Sequence, residues 1–307
     1  MSDRAWPHGD AFAPGHVTGI FAPAAAARDP RGRGSKGAGI VLELGVRARA
    51  SFRPGPGRSV RVTSDLAIPL PISQEVARRL APERAGALSV RLVHELPIGQ
   101  GFGMSAAGAT ATALAVAALS DRSRGEAVEV AHLADLFGSG GLGGVAAIEG
   151  GGGFELRRRP GLPPRGNTVH RRFTGTLFVG VVGGPIPTPR LLRERGFLDR
   201  VAVASKGLDG LLRRPSAAAF FGLSERFTDR LGLAPPPLTR VLSGLRARGA
   251  WAAQAMFGRS FFARPRNSAS RARIAAWLET AGVRAVELSA AERGATVLMG
   301  DRSRGGP

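Results

Sequence analysis

The sequence predicts an α+β fold, and three observations carry that prediction. Segments with the two-residue alternation of strands interleave with segments of helical spacing along the whole chain. One alternating segment runs without a break into a glycine loop and then into a small-residue helix, over residues 87–115. The chain has 307 residues at 43% hydrophobic content, enough for one large domain or two modest ones that each bury a core.

DAFAPGHVTGIFA (10–22) reads as a short strand entering a Pro/Gly turn, and AGIVLELGVRARASF (38–52) as a long strand with β-branched alternation. A second strand follows near 59–63, then ISQEVARRLA (72–81) with helical spacing. ALSVRLVHEL (87–96) alternates, with Leu88, Val90 and Leu92 on one face. Helices are expected over 104–119 and 125–137, before a second glycine-rich segment at 138–153. TLFVGVV (176–182) is an expected buried strand, and 190–248 reads as mostly helical, punctuated by Pro215 and the turn at 234–237. WAAQAMFGRSFFA (251–263), a helix at 268–281 and short strands near 284–288 and 296–299 complete the pattern, with a frayed tail at 300–307. No internal repeat is visible.

Composition excludes several classes. With no cysteine there are no disulfides, thiolate metal sites or cysteine nucleophiles, which fits a reducing cytoplasm. The first ten residues are polar and charged, unlike a secretory signal. Leu96 to Ser120 carries no charge, but it opens on a Pro/Gly loop, and its helical remainder is shorter than the ~20 residues a bilayer needs. A buried core helix is expected there, and no membrane span. The net charge of +20 is concentrated after residue 150, where 27 basic residues face 10 acidic ones. Such a field attracts polyanions. Yet all but Lys36 and Lys206 of the basic residues are arginine in an Ala/Gly/Arg-rich chain, as a coding bias would also produce. Tyrosine is absent, and no aromatics alternate with arginines as a platform for stacking bases requires, so RNA binding is disfavoured.

Two G-x-G-x-x-G matches, at Gly32/Gly34/Gly37 and Gly138/Gly140/Gly143, lack the strand-to-helix context of a dinucleotide site. No Walker A pattern, nucleophile elbow or local histidine metal motif occurs. The informative segment is PIGQGFGMSAAGATATALA (97–115). Gly99, Gly101 and Gly103 leave backbone amides uncovered, and the following helix adds its unpaired N–H groups and positive dipole end to the same place. Ser105 falls in the first turn, where a hydroxyl reaches a phosphate oxygen or magnesium. Gly101 is expected to leave phosphate space that a valine would fill. The residues alone leave a second account open, a turn before an Ala-rich helix whose small side chains permit close packing.

This stretch resembles the second signature of the galactokinase/homoserine/mevalonate/phosphomevalonate (GHMP) kinase superfamily, a Pro-x-x-x-Gly-Leu-Gly-Ser-Ser-Ala-Ala pattern. Pro97, Gly101, Gly103, Ser105, Ala106 and Ala107 match it, while Phe102 and Met104 depart from it as in archaeal-type pantoate kinases. PGHVTGIFAP (14–23), GSKGAGI (34–40), AHLADLFGSGGLGGV (131–145) and AWAAQAMFGRSFFA (250–263) resemble the same subfamily. The resemblance implies a two-lobed GHMP kinase fold: a ribosomal-protein-S5-domain-2-like ATP-binding lobe over 1–170, a ferredoxin-like lobe over 171–300 and a tail at 301–307. It implies ATP-dependent phosphorylation of pantoate at its 4-hydroxyl for archaeal coenzyme A synthesis, with Mg2+ and nucleotide in the cleft.

It also implies roles. The loop from Pro97 to Ala107, with Gly99, would hold ATP; Ser105 and Asp135 would ligate magnesium; His16 and Ser35 would line the acceptor pocket; Arg157 would hold the pantoate carboxylate. A guanidinium fork and a hydroxyl–carboxylate pair suit those tasks. The residues alone leave Arg157 readable as one of an exposed run, Arg157-Arg158-Arg159, and His16 as a packed turn residue. One departure stands out. Where the family reads Gly-Leu-Gly-Asp-Val, this chain reads Gly141-Leu142-Gly143-Gly144-Val145, so the presumed catalytic base is missing. Loss of a general base lowers rates by ~10²–10⁴, whereas phosphoryl transfer rests chiefly on positioning and charge neutralisation. Slow turnover that an aspartate at 144 restores is therefore expected, unless residue 144 has positive φ. Glu149 is a substitute base within reach in sequence, and a catalytically weakened binding relative is the alternative. A homodimer and other hydroxy-acid acceptors are left open.

Overall fold

The longest strand organises the molecule. In this computed structural model, residues 7–298 are described except 25–26, 67, 121, 140, 186–190 and 192–193; the expected tail lies outside the described residues. The first strands are β1 (His8–Pro23), β2 (Ser35–Pro54), β3 (Arg58–Ser64) and β4 (Gly86–His94). β1 and β2 pair antiparallel from His8↔Ser51 to Pro23↔Ser35. On its other edge β2 divides: residues 46–54 pair with β4, and residues 37–40 pair with β5 (Phe154–Arg159). β3 lies parallel to β4 through the crossover helix α1 (Pro71–Leu80). β6 (Asn167–Arg171) extends β5.

The helix after the glycine loop, α2 (Met104–Ala117), buries every residue but Ser105, as an Ala-rich segment apolar on all sides must. No helix among the described residues is long and apolar enough to cross a membrane. α3 (Arg124–Ser139) packs beside α2, and α4 (Gly144–Glu149) follows.

Beyond Arg171 the chain enters a second, four-stranded antiparallel sheet. It contains β7 (Thr176–Val181), β8 (Ala250–Gln254), β9 (Ser260–Pro265) and β10 (Ala285–Ser289) in spatial order β10-β7-β9-β8. Among the described residues, four helices separate β7 from β8: α5 (Phe197–Ala204), α6 (Leu208–Arg213), α7 (Ala217–Leu231) and α8 (Pro236–Ala247). α9 (Ser268–Thr280), closed by a capping box on Asn267, joins β9 to β10. That order and connectivity are those of a ferredoxin-like sheet. The last strand, β11 (Thr296–Leu298), returns to pair with β1, so the first sheet takes strands from both ends of the described chain. One apolar core runs from Val17 and Ile40 through α2 to Phe220 and Phe262, joining the two sheets.

The alternating and helical segments lie where the sequence places them, within a few residues, except that β1 is no short strand entering a turn: it runs on through Pro14 and Gly15, with a register shift against β2 between them. Three elements escape the sequence reading. α4 is a six-residue helix inside a glycine-rich segment, preceded by Gly143 at φ 132°. β5 lacks alternation because its first four residues, Glu155 and Arg157 included, are all buried. β6 has only one aliphatic side chain, Val169, to signal it.

Candidate functional site

The glycine loop turns the end of β4 into α2 through left-handed backbone at alternate positions, with φ of 74°, 77° and 69° at Gly99, Gly101 and Gly103. Gly103 is the N-cap of α2 and supplies no side-chain hydrogen bond, so the first N–H groups of the helix stay available to an anion. The loop borders a cavity of about 370 Å³, walled also by β1, β2, α3, the Gly141–Gly144 turn, β5 and the β8–β9 connection.

Ser105, in the first turn of α2, donates its hydroxyl proton to Asp135 Oδ1 of α3 at 2.8 Å. The Gly141 N–H donates to the Asp135 carbonyl at 3.1 Å, and a Cβ at Gly141 would fall 1.9 Å from Asp135 Oδ2, so only glycine leaves the carboxylate in place. Hydroxyl and carboxylate form a hard-oxygen pair that fits magnesium retaining several waters. Among the described residues no cluster of three or more His, Asp or Glu offers an all-protein cage.

The opposite wall is built on the β1–β2–β5 junction. Arg157 is only 3% exposed, whereas Arg158 and Arg159 point to solvent, so it is no member of an exposed run. It faces Gly37 across the β2–β5 register, where a Cβ would lie 2.3 Å from Arg157 Nη2. Arg157 Nη1 donates to Glu155 Oε1, and His16 Nε2 lies 2.8 Å from the same oxygen. Arg157 Nε is buried without a partner, a donor whose desolvation an anionic ligand would offset. Ser35 Oγ donates to the Leu142 carbonyl at 2.6 Å and borders the Gly141–Gly144 turn. Burial holds the His16 pKa below 6.5, against the opposing hydrogen bond and charge of Glu155. For Glu155, burial alone would raise the pKa; the Arg157 charge and the His16 hydrogen bond outweigh it and keep the carboxylate ionised.

The cavity wall thus brings together His16, Ser35, Asp135, Gly144 and Arg157 with the loop residues Gly99, Gly101, Phe102, Gly103, Met104, Ser105 and Ala106. Pro97 is exposed at the loop entry and Ala107 is sealed inside α2; neither reaches the cavity. One open condition is settled and two expectations need correction. Gly144 has no positive φ; that conformation belongs to Gly143, and position 144 is constrained instead by Ala106, whose Cβ would lie 2.6 Å from a Cβ there. Glu149 cannot stand in for the missing carboxylate, because it ends α4 outside the cavity wall, paired with Arg124 Nε at 3.2 Å. A side chain at Gly101 would meet the Ala255 carbonyl at 2.6 Å rather than fill phosphate space.

That last contact belongs to a brace. The β8–β9 connection presses on the loop from the second sheet, Ser260 Oγ donates to the Gln100 carbonyl, and Gln100 Nε2 donates to the Gly183 carbonyl at 2.8 Å. Gly101→Val is therefore expected to lower the melting temperature and the ATP affinity together, through loop displacement and left-handed strain of ~1 kcal/mol or more. Calorimetry beside thermal unfolding checks it; unchanged ATP affinity in a folded variant would remove the loop from the site.

Sequence reasoning missed Glu155, Thr18, Phe21, Met256 and Phe257. Phe21 and Phe257 meet edge to face at 5.4 Å and give the cavity an apolar wall from distant parts of the chain. The one available signal for Glu155 was its spacing of two from Arg157, which puts opposite charges on one strand face.

Residues 72–152 match the family described as GHMP kinases N terminal domain. The chain is 31% identical over 241 residues to a pantoate kinase of Thermococcus kodakarensis KOD1, covering 75% of this chain and 78% of that one. It is 29% identical over 262 residues to a pantoate kinase of Methanospirillum hungatei JF-1, covering 82% and 86%. Among solved structures it is similar to a phosphotransferase related to the CoA biosynthesis pathway, at 27% identity and a TM-score of 0.84, over 95% of this chain and 98% of that one.

Proposed function

The chain belongs to the pantoate kinase family of the GHMP kinases, and from that membership we propose that it transfers the γ-phosphoryl group of ATP to the 4-hydroxyl of pantoate, giving 4-phosphopantoate for coenzyme A synthesis. One observation carries the reading to the residues: an anion-binding helix start with its Ser105–Asp135 pair faces a buried, under-partnered arginine across a single cavity.

We assign ATP phosphates to the loop 99–106, the metal to Ser105 and Asp135, and the acceptor to His16, Ser35 and Arg157. Magnesium, held there, would neutralise charge on the phosphates. The chain's own residues do the rest: the α2 amides orient the phosphates, the Arg157 fork fixes the acceptor carboxylate, and the Phe21–Phe257 wall excludes water. The cysteine-free composition supports a cytoplasmic setting for this reaction.

A coupled ADP-release assay with ATP, magnesium and a panel of hydroxy acids tests the proposal. ADP release is expected to depend on pantoate; release unaffected by any acceptor would remove the kinase reading. A second reading, a weakened relative that binds ATP without turnover, is favoured by one observation: among the described residues lining the cavity Asp135 is the sole carboxylate. Tight ATP binding with no turnover across the panel would select it.

A further inference from the structure

We infer that His16, held by Glu155, takes the proton of the acceptor hydroxyl and so replaces the carboxylate absent at position 144; this rests on the kinase reading above.

Position comes first. The His16 backbone N–H donates to the Phe102 carbonyl at 2.9 Å, and a Cβ on the N-cap Gly103 would lie 3.3 Å from His16 Cβ. The backbone and Cβ of His16 thus stand against the N-cap of α2, and the residue lies on the wall of the cavity. It belongs to the acceptor side yet touches the phosphate loop, which is where a group accepting a proton from an attacking hydroxyl must sit.

The ring's hydrogen bond then fixes which nitrogen is basic. Ionised Glu155 only accepts, so the neutral imidazole places its proton on Nε2, donated to Glu155 Oε1 at 2.8 Å. Arg157 Nη1, 3.5 Å from Nε2, donates to the same oxygen. Two donors thereby converge on one acceptor. The remaining nitrogen, Nδ1, keeps its lone pair. It has no hydrogen-bond partner, and it is not among the unpartnered atoms sealed from solvent, as Glu155 Oε2 and Arg157 Nε are. Nδ1 therefore keeps some solvent contact, on a residue that lines the cavity.

Electrostatics suit the task. Burial keeps the ring neutral and ready to accept, and Glu155 stabilises the imidazolium once it forms, as a carboxylate does for any catalytic imidazole it orients. Arg157 and His170 are the charged or titratable groups that oppose protonation. In the step itself, the acceptor oxygen forms a bond to the γ-phosphorus, and the bond from that phosphorus to the bridging oxygen breaks with its electron pair leaving on ADP. The hydroxyl proton passes to Nδ1, and the imidazolium returns it to solvent after product leaves.

The test uses the full chain with ATP, magnesium and pantoate. His16→Gln keeps an amide donor toward Glu155 but has no basic nitrogen. It is expected to lower kcat by ~10²–10⁴ while ATP affinity changes by less than about threefold. Wild-type kcat should fall on the acid side with an apparent pKa below 6.5, and His16→Gln should lack that limb. Glu155 is a positioning residue, and Glu155→Gln should move the limb to lower pH, since its charge raises the His16 pKa. Nitrogen-15 NMR of the wild type supplies a readout free of turnover, with the His16 proton expected on Nε2. A proton on Nδ1, or a His16→Gln enzyme as fast as an active wild type, would overturn the base alone. A wild type inactive on pantoate would overturn the kinase reading and the base with it.

Discussion

Arg157→Ala is expected to raise the pantoate KM by about 10²-fold and to leave the ATP KM nearly unchanged, the signature of lost ground-state binding on one substrate. The expectation follows from burial. Arg157 is 3% exposed on the cavity wall with Nε unpartnered, so a carboxylate arriving there meets a desolvated guanidinium instead of one competing with water. The same burial complicates the variant. Removing the guanidinium strands Glu155, fully buried and ionised, and breaking such a pair typically destabilises by ~3–5 kcal/mol. Arg157→Lys resolves the ambiguity, because it retains a positive charge near Glu155 while losing the planar fork. It should fold and still show a pantoate KM raised about tenfold, with Arg158→Ala, on the solvent side of the same strand, as the unaffected control. Equal rises in both substrate constants, or the effect appearing in Arg158→Ala, would show that the carboxylate contact lies elsewhere.

What the sequence revealed and what it hid divide along a physical line. The loop and helix at 97–115 were legible because left-handed backbone at Gly99, Gly101 and Gly103 favours glycine and the close-packed helix that follows needs small residues. β2 was legible because its second half alternates, and α2 because its run of small apolar residues is too long for a strand. β5 was not, because its buried positions include the two charges of the site, and an ion pair erases the alternation that marks a strand. Glu155 was hidden for the same reason. Phe257 and the 255–258 brace were hidden because they reach the glycine loop from more than 150 residues away. The arginine excess after residue 150 is partly structural: Arg246 and Arg271 pair with Asp229 and Glu287, and Arg248, Arg264 and Arg266 lie over Trp277, Phe173 and Trp251 at 4.5, 4.7 and 5.0 Å. Those arginines extend aromatic cores.

The missing carboxylate gives the second large effect, and its sign depends on His16. Position 144 has ordinary backbone, so aspartate is not excluded by φ; what opposes it is the Ala106 Cβ, 2.6 Å from where the new Cβ would stand. Overpacking of this kind destabilises by ~1–3 kcal/mol, so Gly144→Asp alone should melt earlier and gain less than about tenfold in kcat. Ala106→Gly removes the obstructing atom at ~1 kcal/mol of helix propensity. In the Ala106→Gly/Gly144→Asp pair the new carboxylate would lie near Asp135 Oδ2, 3.9 Å from the 144 Cβ, and close to the proposed metal. With His16 intact the pair should add little, since the hydroxyl proton already has an acceptor. In a His16→Gln background the same pair should recover about 10²-fold in kcat, because a carboxylate then supplies the only base. The four kcat values form a cycle whose coupling separates the accounts. Equal gains in both backgrounds would mean that His16 and residue 144 act independently and that His16 is not the base. No gain in either, with the protein folded and ATP bound, would mean that a carboxylate at 144 does not reach the hydroxyl in this chain.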